Sequence, residues 1–473
     1  MKIILYSIVI SYILIFSTLS IQRINNYDGT PAFDLAIPDQ GIWLMSNFKS
    51  PFMTVRGLHL FGDHTPYIYI FFVPLYWMFD SINILLVMQT TFIAIGAVGI
   101  YLIAEKTIKG KYSPLLCSIV YLLHPATNFL NMDLLFSDVF AVPLLIFAYY
   151  FLITQRYKLA TAASILAMMC KEDVAITIIA LAAYAYTTKN KRFGLMLGTA
   201  AIIFFVVNMF VLLPYFNGFG YFRNLYGYNA LGKLGPTPLD SIKTIQKNPS
   251  ILSDILNTDD NKNYMMNMFG PMMFLPLFCL SAMLFIPQLL INLMSGYYYT
   301  HFVTYHYTAY ILPTMMISYI NVISKTKRFK YVLIILTLVS TAYFSYEIGG
   351  PFNIIKNPKN IIGAIQQEKF DDIKNYDRLV AEIPPRSSAS VSYMFLPHMA
   401  HRENIFMFPN PFKPNYWGIN GENMSNMKPD YLLVNGDTSK EDELINRFLI
   451  NGTYRQIDYF GSITLYKKYG DVG

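Results

Sequence analysis

Phe33-Asp34-Leu35-Ala36-Ile37-Pro38-Asp39-Gln40-Gly41-Ile42-Trp43 follows the first apolar segment of the chain and leads on to Gly62-Asp63-His64-Thr65-Pro66. The stretch puts two carboxylates, a tryptophan and, further on, His59 and His64 at the mouth of a body that is otherwise apolar and poor in charge. Ionisable side chains beside a bilayer are costly, and where they persist they point to function. Asp34 is therefore read as the centre of a site. The plainer alternative is that these residues only solvate an external loop.

The rest of the composition agrees with a membrane setting. Of 473 residues, 54% are hydrophobic and only 14% charged, with a mean hydropathy of +0.37; soluble chains carry about 25% charge. A soluble globule is excluded, and the chain reads as a polytopic α-helical membrane protein. Its net charge of +7 sits mainly in short loops between apolar runs, where it sets orientation, so nucleic acid is not an expected partner. Cys117, Cys170 and Cys279 lie inside apolar runs and have no disulfide or metal-ligand spacing. Lys2 followed by Ile3 to Leu19 resembles a signal peptide without an Ala-x-Ala site, and is read as a retained first transmembrane helix.

Spanning the hydrocarbon takes roughly 20 apolar residues, fewer in broken helices. Candidate runs are 3–20, 82–104, 112–123, 134–153, 158–170, 174–187, 193–213, 270–294, 303–323 and 330–346, giving about nine to eleven membrane helices when broken or re-entrant ones are counted. Residues 66–79, interrupted by Pro74, suit a re-entrant or interfacial helix. Pro271, Pro276 and Pro287 make 270–294 a broken helical hairpin. Basic clusters at Lys106/Lys109/Lys111, Arg156/Lys158, Lys189/Lys191/Arg192 and Lys325/Lys327/Arg328/Lys330 belong in the cytoplasm. Residues near Asn217, Ser295 and Ser390 are then external.

That orientation brings a set of polar residues to one face. His124, Asp133, Asp138, Lys171-Glu172-Asp173, His301 and His306-Tyr307 all fall near external helix ends, on the side of Asp34. Taken singly, Lys171 to Asp173 could be a hydrated turn, His306 a satisfied core histidine and Asp138 a helix cap.

The tail changes character. A transmembrane domain over 1–346, with a long external first loop at 21–81, is followed by a small extracytoplasmic α/β domain over 347–473, about 120 residues and large enough for its own core. Residues 389–393, 431–434 and 462–466 read as strands and 365–382 as a helix. His398, His401 and Arg402 follow the first of these strands, where open α/β sheets often present binding loops. Asn423-Met424-Ser425 and Asn451-Gly452-Thr453 match the N-glycosylation pattern. Phosphate-cradling Gly-rich loops, HExxH, nucleophile elbows and CxxC pairs are absent from the sequence, which argues against ATP-driven work by this chain.

Phe33 to Gln40, Asp63-His64-Thr65-Pro66 leading to Val73-Pro74-Leu75-Tyr76, Lys171-Glu172-Asp173, Tyr305-His306-Tyr307 and Pro397-His398 before His401-Arg402 resemble, in that order, the DUF2079 family of predicted prokaryotic membrane proteins. One departure is Asp133-Leu134-Leu135, where the family pattern leads one to expect Asp-Phe-His, so a role resting on that histidine is in doubt. The family is similar in layout to the GT-C glycosyltransferases. The resemblance implies transfer of a sugar from a polyprenyl-phosphate donor to a glycan, lipid or protein acceptor outside the membrane.

Under that resemblance Asp34 is the catalytic base toward an acceptor hydroxyl. Lys171, Arg56 and Arg223 are the cations available for the leaving phosphate, with His306 and Tyr307 as donors. Asp39, His64, Glu172, Asp173, His398, His401 and Arg402 complete the expected substrate contacts. A divalent cation, Mg or Mn, held by Asp34, Asp39, Glu172 or Asp173 is the alternative source of positive charge. A lipid or solute transporter and a noncatalytic assembly protein are the competing readings; the large outer loop and outer domain fit transport poorly.

Overall fold

The structure is a computed structural model that describes residues 1–27, 32–132, 135–218, 231–235, 237–349, 370–413, 427–436, 444, 446 and 452–469. The chain divides into two compact units. One comprises Met1–Thr18, His64–Ile68 and Leu86–Ile362, and the other Leu19–Asp63, Tyr69–Leu85 and Gly363–Gly473.

The first unit is helical. Among the described residues, Lys2–Asn25, Asn83–Thr107, Lys191–Asn217 and Lys327–Glu347 are long and apolar enough to cross a membrane. Ser113–Leu123 and Pro125–Met132, bent by 52°, make a fifth crossing if they are taken together. Ser137–Ile153, Tyr157–Met168 and Val174–Thr188 are shorter apolar helices. The expected nine to eleven helices counted broken and re-entrant ones, and among the described residues the long spans, the bent pair and the shorter apolar helices are all present. Small residues let Asn83–Thr107 approach its neighbours closely. A Cβ at Gly99 would lie 2.5 Å from Ile146 Cγ2, and one at Gly96 2.5 Å from the Tyr121 hydroxyl, which donates to the Ile93 carbonyl at 2.9 Å.

Residues 270–294 do not form a helical hairpin. They run as the 3-10 turns Gly270–Met272, Leu275–Phe278 and Leu280–Leu284, followed by the nine-residue helix Ile286–Met294. Prolines remove N–H donors here and leave carbonyls without intrahelical partners. Neighbouring hydroxyls meet them: Ser318 donates to the Pro276 carbonyl at 2.7 Å, Ser340 to Gly270 at 2.9 Å and Thr341 to Pro271 at 2.8 Å. Irregular backbone survives at this depth when it is satisfied in this way. Residues 67–76 form a 3-10 turn, Tyr67–Phe72, running into the short helix Val73–Tyr76.

The second unit contains two sheets. A short hairpin pairs β1 (Phe52–Met53) with β2 (Leu58–His59). The larger sheet contains β3 (Ala389–Val391), β4 (Ile405–Met407), β5 (Tyr431–Asn435), β6 (Tyr454–Phe460) and β7 (Ile463–Lys468), in the order β4-β3-β5-β7-β6. The β3 strand is parallel to β4 and β5, whereas β7 is antiparallel to β5 and β6. Central β5 is buried on both faces, which explains its unbroken Tyr-Leu-Leu-Val run. Leu433 packs on one side with Leu379, Ile383 and Phe395, together with Tyr27, Phe33 and Ala36 of the first loop. Leu432 and Val434 pack on the other with Phe408 and Tyr454. Residues of the first loop and of the tail thus belong to one core. Of the expected 365–382 helix, Phe370–Ala381 is helical, and residues 365–369 lie outside the described residues.

Candidate functional site

In the second unit, Asp34 lies in the first turn of Ala32–Ser46, where the helix dipole favours a carboxylate. Burial nevertheless dominates and pushes its pKa up to about 6; the Arg56 guanidinium pulls it down and the Asp63 carboxylate pushes it up again. Arg56 is itself buried and donates from Nε to Asp63 Oδ2 at 3.3 Å. The result is a carboxyl group that changes charge close to neutral pH. That is where a general base works best.

Asp39, five residues on, enters a different environment. It is fully buried, and its Oδ1 accepts from the Tyr76 hydroxyl at 2.5 Å and pairs with His401 Nε2 at 3.0 Å. Its Oδ2 has no hydrogen-bond partner among the described residues. His401 Nδ1 lies 2.6 Å from Asp80 Oδ1, so the imidazole bridges two carboxylates. Burial alone would lower the His401 pKa, but Asp39 and Asp80 together push it up to about 9, and the ring is an imidazolium at neutral pH. Trp43 stacks on it at 5.9 Å. Tyr76 and Asp80 were not among the expected site residues; they sit more than 300 positions from His401, and no local spacing signals them.

His398 and Arg402 have structural partners. His398 stacks on Tyr27 at 3.9 Å and bonds the Ile24 carbonyl through Nε2 at 3.0 Å, and burial lowers its pKa to about 4. The Arg402 guanidinium donates to the carbonyls of Ile383, Pro384 and Ser387, fixing the loop after helix Phe370–Ala381. His398 and His401 therefore have different partners.

In the first unit, Lys171 and Glu172 are buried and Asp173 is half-buried, so the turn is not simply a hydrated one. Glu172 receives His64 Nδ1 at 2.8 Å on one oxygen, and the Thr65 N–H at 3.0 Å and Thr65 hydroxyl at 3.3 Å on the other. Burial pushes its carboxyl pKa upward, but His64, Lys171 and the Thr65 N–H outweigh it and hold the group below its ordinary value. Lys171 Nζ lies 3.4 Å from Asp138 and 4.0 Å from Asp173. Tyr310 donates to Asp138 and, at 3.0 Å, to Asp173. His306 Nε2 is 3.9 Å from Asp138, and the Tyr307 ring lies tilted against the His306 ring with centroids 4.1 Å apart. Asp138 is thus a junction of this network and not merely a helix cap, and Tyr310 joins it unforeseen.

Two other histidines prove architectural. His124 bonds the Met268 carbonyl through Nε2 at 3.1 Å, and His301 is clamped between Asn261 and the Ser295 carbonyl. Arg223, Asp133, Asn423, Ser425 and Asn451 lie outside the described residues. Among the described residues no three His, Cys, Asp or Glu side chains gather as a metal-ligand set, and both Glu172 oxygens accept hydrogen bonds.

The sequence model for DUF2079, described as a predicted membrane protein, matches residues 29–459. Among solved structures, the fold is similar to the crystal structure of ArnT from Cupriavidus metallidurans in the apo state. The TM-score is 0.53 at 8% identity, with 96% of this chain and 97% of that one covered. No curated protein matches the sequence.

Proposed function

The chain belongs to the DUF2079 family of predicted membrane proteins, and from that premise we propose that it is a membrane glycosyltransferase taking its sugar from a polyprenyl-phosphate donor. The fold likeness to ArnT, a GT-C glycosyltransferase, supports this reading over the full length of the chain. The observation that carries it is Asp34, a carboxyl in a helical first turn whose pKa burial pushes up to about 6.

The acceptor hydroxyl oxygen attacks the anomeric carbon as its proton passes to the Asp34 carboxylate. The bond from that carbon to the phosphate oxygen breaks with inversion, and its electron pair leaves on the lipid phosphate. Asp34 contributes about 100 to 10,000 fold as a general base. The Arg56 charge pulls the Asp34 pKa down against burial and so favours the carboxylate form. Both Asp34 and the second unit are extracytoplasmic in it, since the donor's sugar and phosphate must meet the acceptor outside the hydrocarbon.

The test is turnover by the purified protein in nanodiscs, supplied with a radiolabelled polyprenyl-phosphate sugar and a crude envelope glycan fraction. Label moving to the acceptor, with release of polyprenyl phosphate, is expected. Movement of the donor across the bilayer without bond cleavage would replace the reading with a flippase.

A further inference from the structure

The second unit holds a cavity of about 700 Å³ at the end of the sheet where β3 and β4 begin, walled by Trp43, Tyr76 and Trp77 on one side and by residues 385–386 and 401–403 on the other. Its volume suits a small ligand. Trp77 is fixed without being covered: its Nε1 donates to the Ser46 carbonyl at 2.9 Å and its ring stacks on Phe48 at 6.0 Å, yet the residue is 59% exposed. A rigid aromatic face of this kind matches the C–H face of a pyranose ring, whose hydroxyls then reach past its edge to polar neighbours. Asn47, Asp80 and Glu403 are polar residues of the same cavity lining.

The charges narrow the choice. Lys49 is paired with Glu403, His401 with Asp39 and Asp80, and Arg402 is held by backbone carbonyls. Arg386 also lines the cavity, is exposed, and has no ionic partner among the described residues. A planar guanidinium left in that state suits a carboxylate or phosphate. A lipid tail fits poorly, because it would strip water from Asp80, Lys49 and Arg386 without replacing their hydrogen bonds.

We propose that this cavity binds an acidic saccharide, with a pyranose ring stacked on Trp77 and its acid group on Arg386. In naming that saccharide as part of the acceptor the proposal rests on the glycosyltransferase reading; as a binding site it stands by itself.

Calorimetric titration of the full-length protein in phosphatidylcholine nanodiscs tests it, with a galacturonic acid tetramer as probe and maltotetraose as neutral comparator. The acidic tetramer is expected to bind about tenfold more tightly than the neutral one, and Arg386→Ala to erase that preference. Trp77→Ala should abolish binding of both, while Trp77→Phe, which keeps a flat ring, should retain part of it. Unfolding midpoints certify that each variant is folded. The proposal is overturned if neither tetramer binds, or if folded Arg386→Ala keeps the preference. Quenching of Trp77 fluorescence by brominated phosphatidylcholine, unaffected by saccharide, would equally overturn it by making Trp77 a bilayer anchor. The same titration on Asp34→Asn separates the two claims: binding should persist there, and binding without any transfer by the wild type would contradict the enzyme reading alone.

Discussion

His401 Nε2 lies 3.0 Å from Asp39 Oδ1, tying the crossover between β3 and β4 to the helix Ala32–Ser46 of the first loop. The tie is charged, because His401 keeps its proton up to about pH 9. A histidine whose folded pKa is raised above the ordinary 6.5 stabilises the fold fully below that value, and the contribution is lost as pH rises through the folded pKa.

The second unit should accordingly weaken between about pH 6.5 and pH 9. His401→Gln should cost about 1.5 to 3 kcal/mol at pH 6, the usual worth of a hydrogen bond to a charged group. Thermal unfolding of wild type and variant across this range is the measurement, and the gap between them should close toward pH 9.5. A gap independent of pH would mean that His401 acts by packing alone.

Glu172 makes an opposite demand in the first unit, where it accepts from His64 and from the Thr65 backbone. Glu172→Ala leaves the buried Thr65 N–H without its acceptor, and should cost about 1 to 3 kcal/mol. Glu172→Gln keeps an acceptor and should lose less. A hydrated turn would tolerate either change within about 0.5 kcal/mol. Unfolding midpoints in detergent distinguish these cases.

The orientation we propose rests on the basic loops. Single cysteines at exposed Lys109, Lys191 and Lys327 should resist an impermeant label in intact cells, while one at exposed Glu382 should react. Ser390 cannot serve as an external reporter because it is fully buried. Labelling at Lys191 from outside would break the topology.

Much of this architecture can be read directly from local patterns. Hydropathy marks the long helices, and the Tyr431 to Val434 run marks the central strand. The two carboxylates of the opening stretch are legible too, since five residues advance roughly 500° along a helix and so send them to different faces. Contacts between distant segments are not legible in this way. His398 and Arg402 look like ligands in the sequence, yet Tyr27, the Ile24 carbonyl and the carbonyls of 383–387 occupy them. The prolines of 270–294 announce a broken segment, but the hydroxyls of Ser318, Ser340 and Thr341 that make it tolerable lie on other helices. Strand β4, three residues long, is too short for periodicity to reveal.

Asp34→Asn tests the central claim most directly. A carboxyl whose folded pKa is raised disfavours the fold once ionised, so removing its charge should raise the unfolding midpoint at pH 7.5, and the gain should fade as pH falls toward 4. In the wild type, kcat/KM should climb through about pH 6 as Asp34 ionises. The decisive measurement is sugar transfer from the polyprenyl-phosphate donor at pH 7.5 by wild type and Asp34→Asn, both folded in nanodiscs. The account predicts a fall of at least about 100 fold with donor binding retained; near-normal turnover by the variant would contradict it.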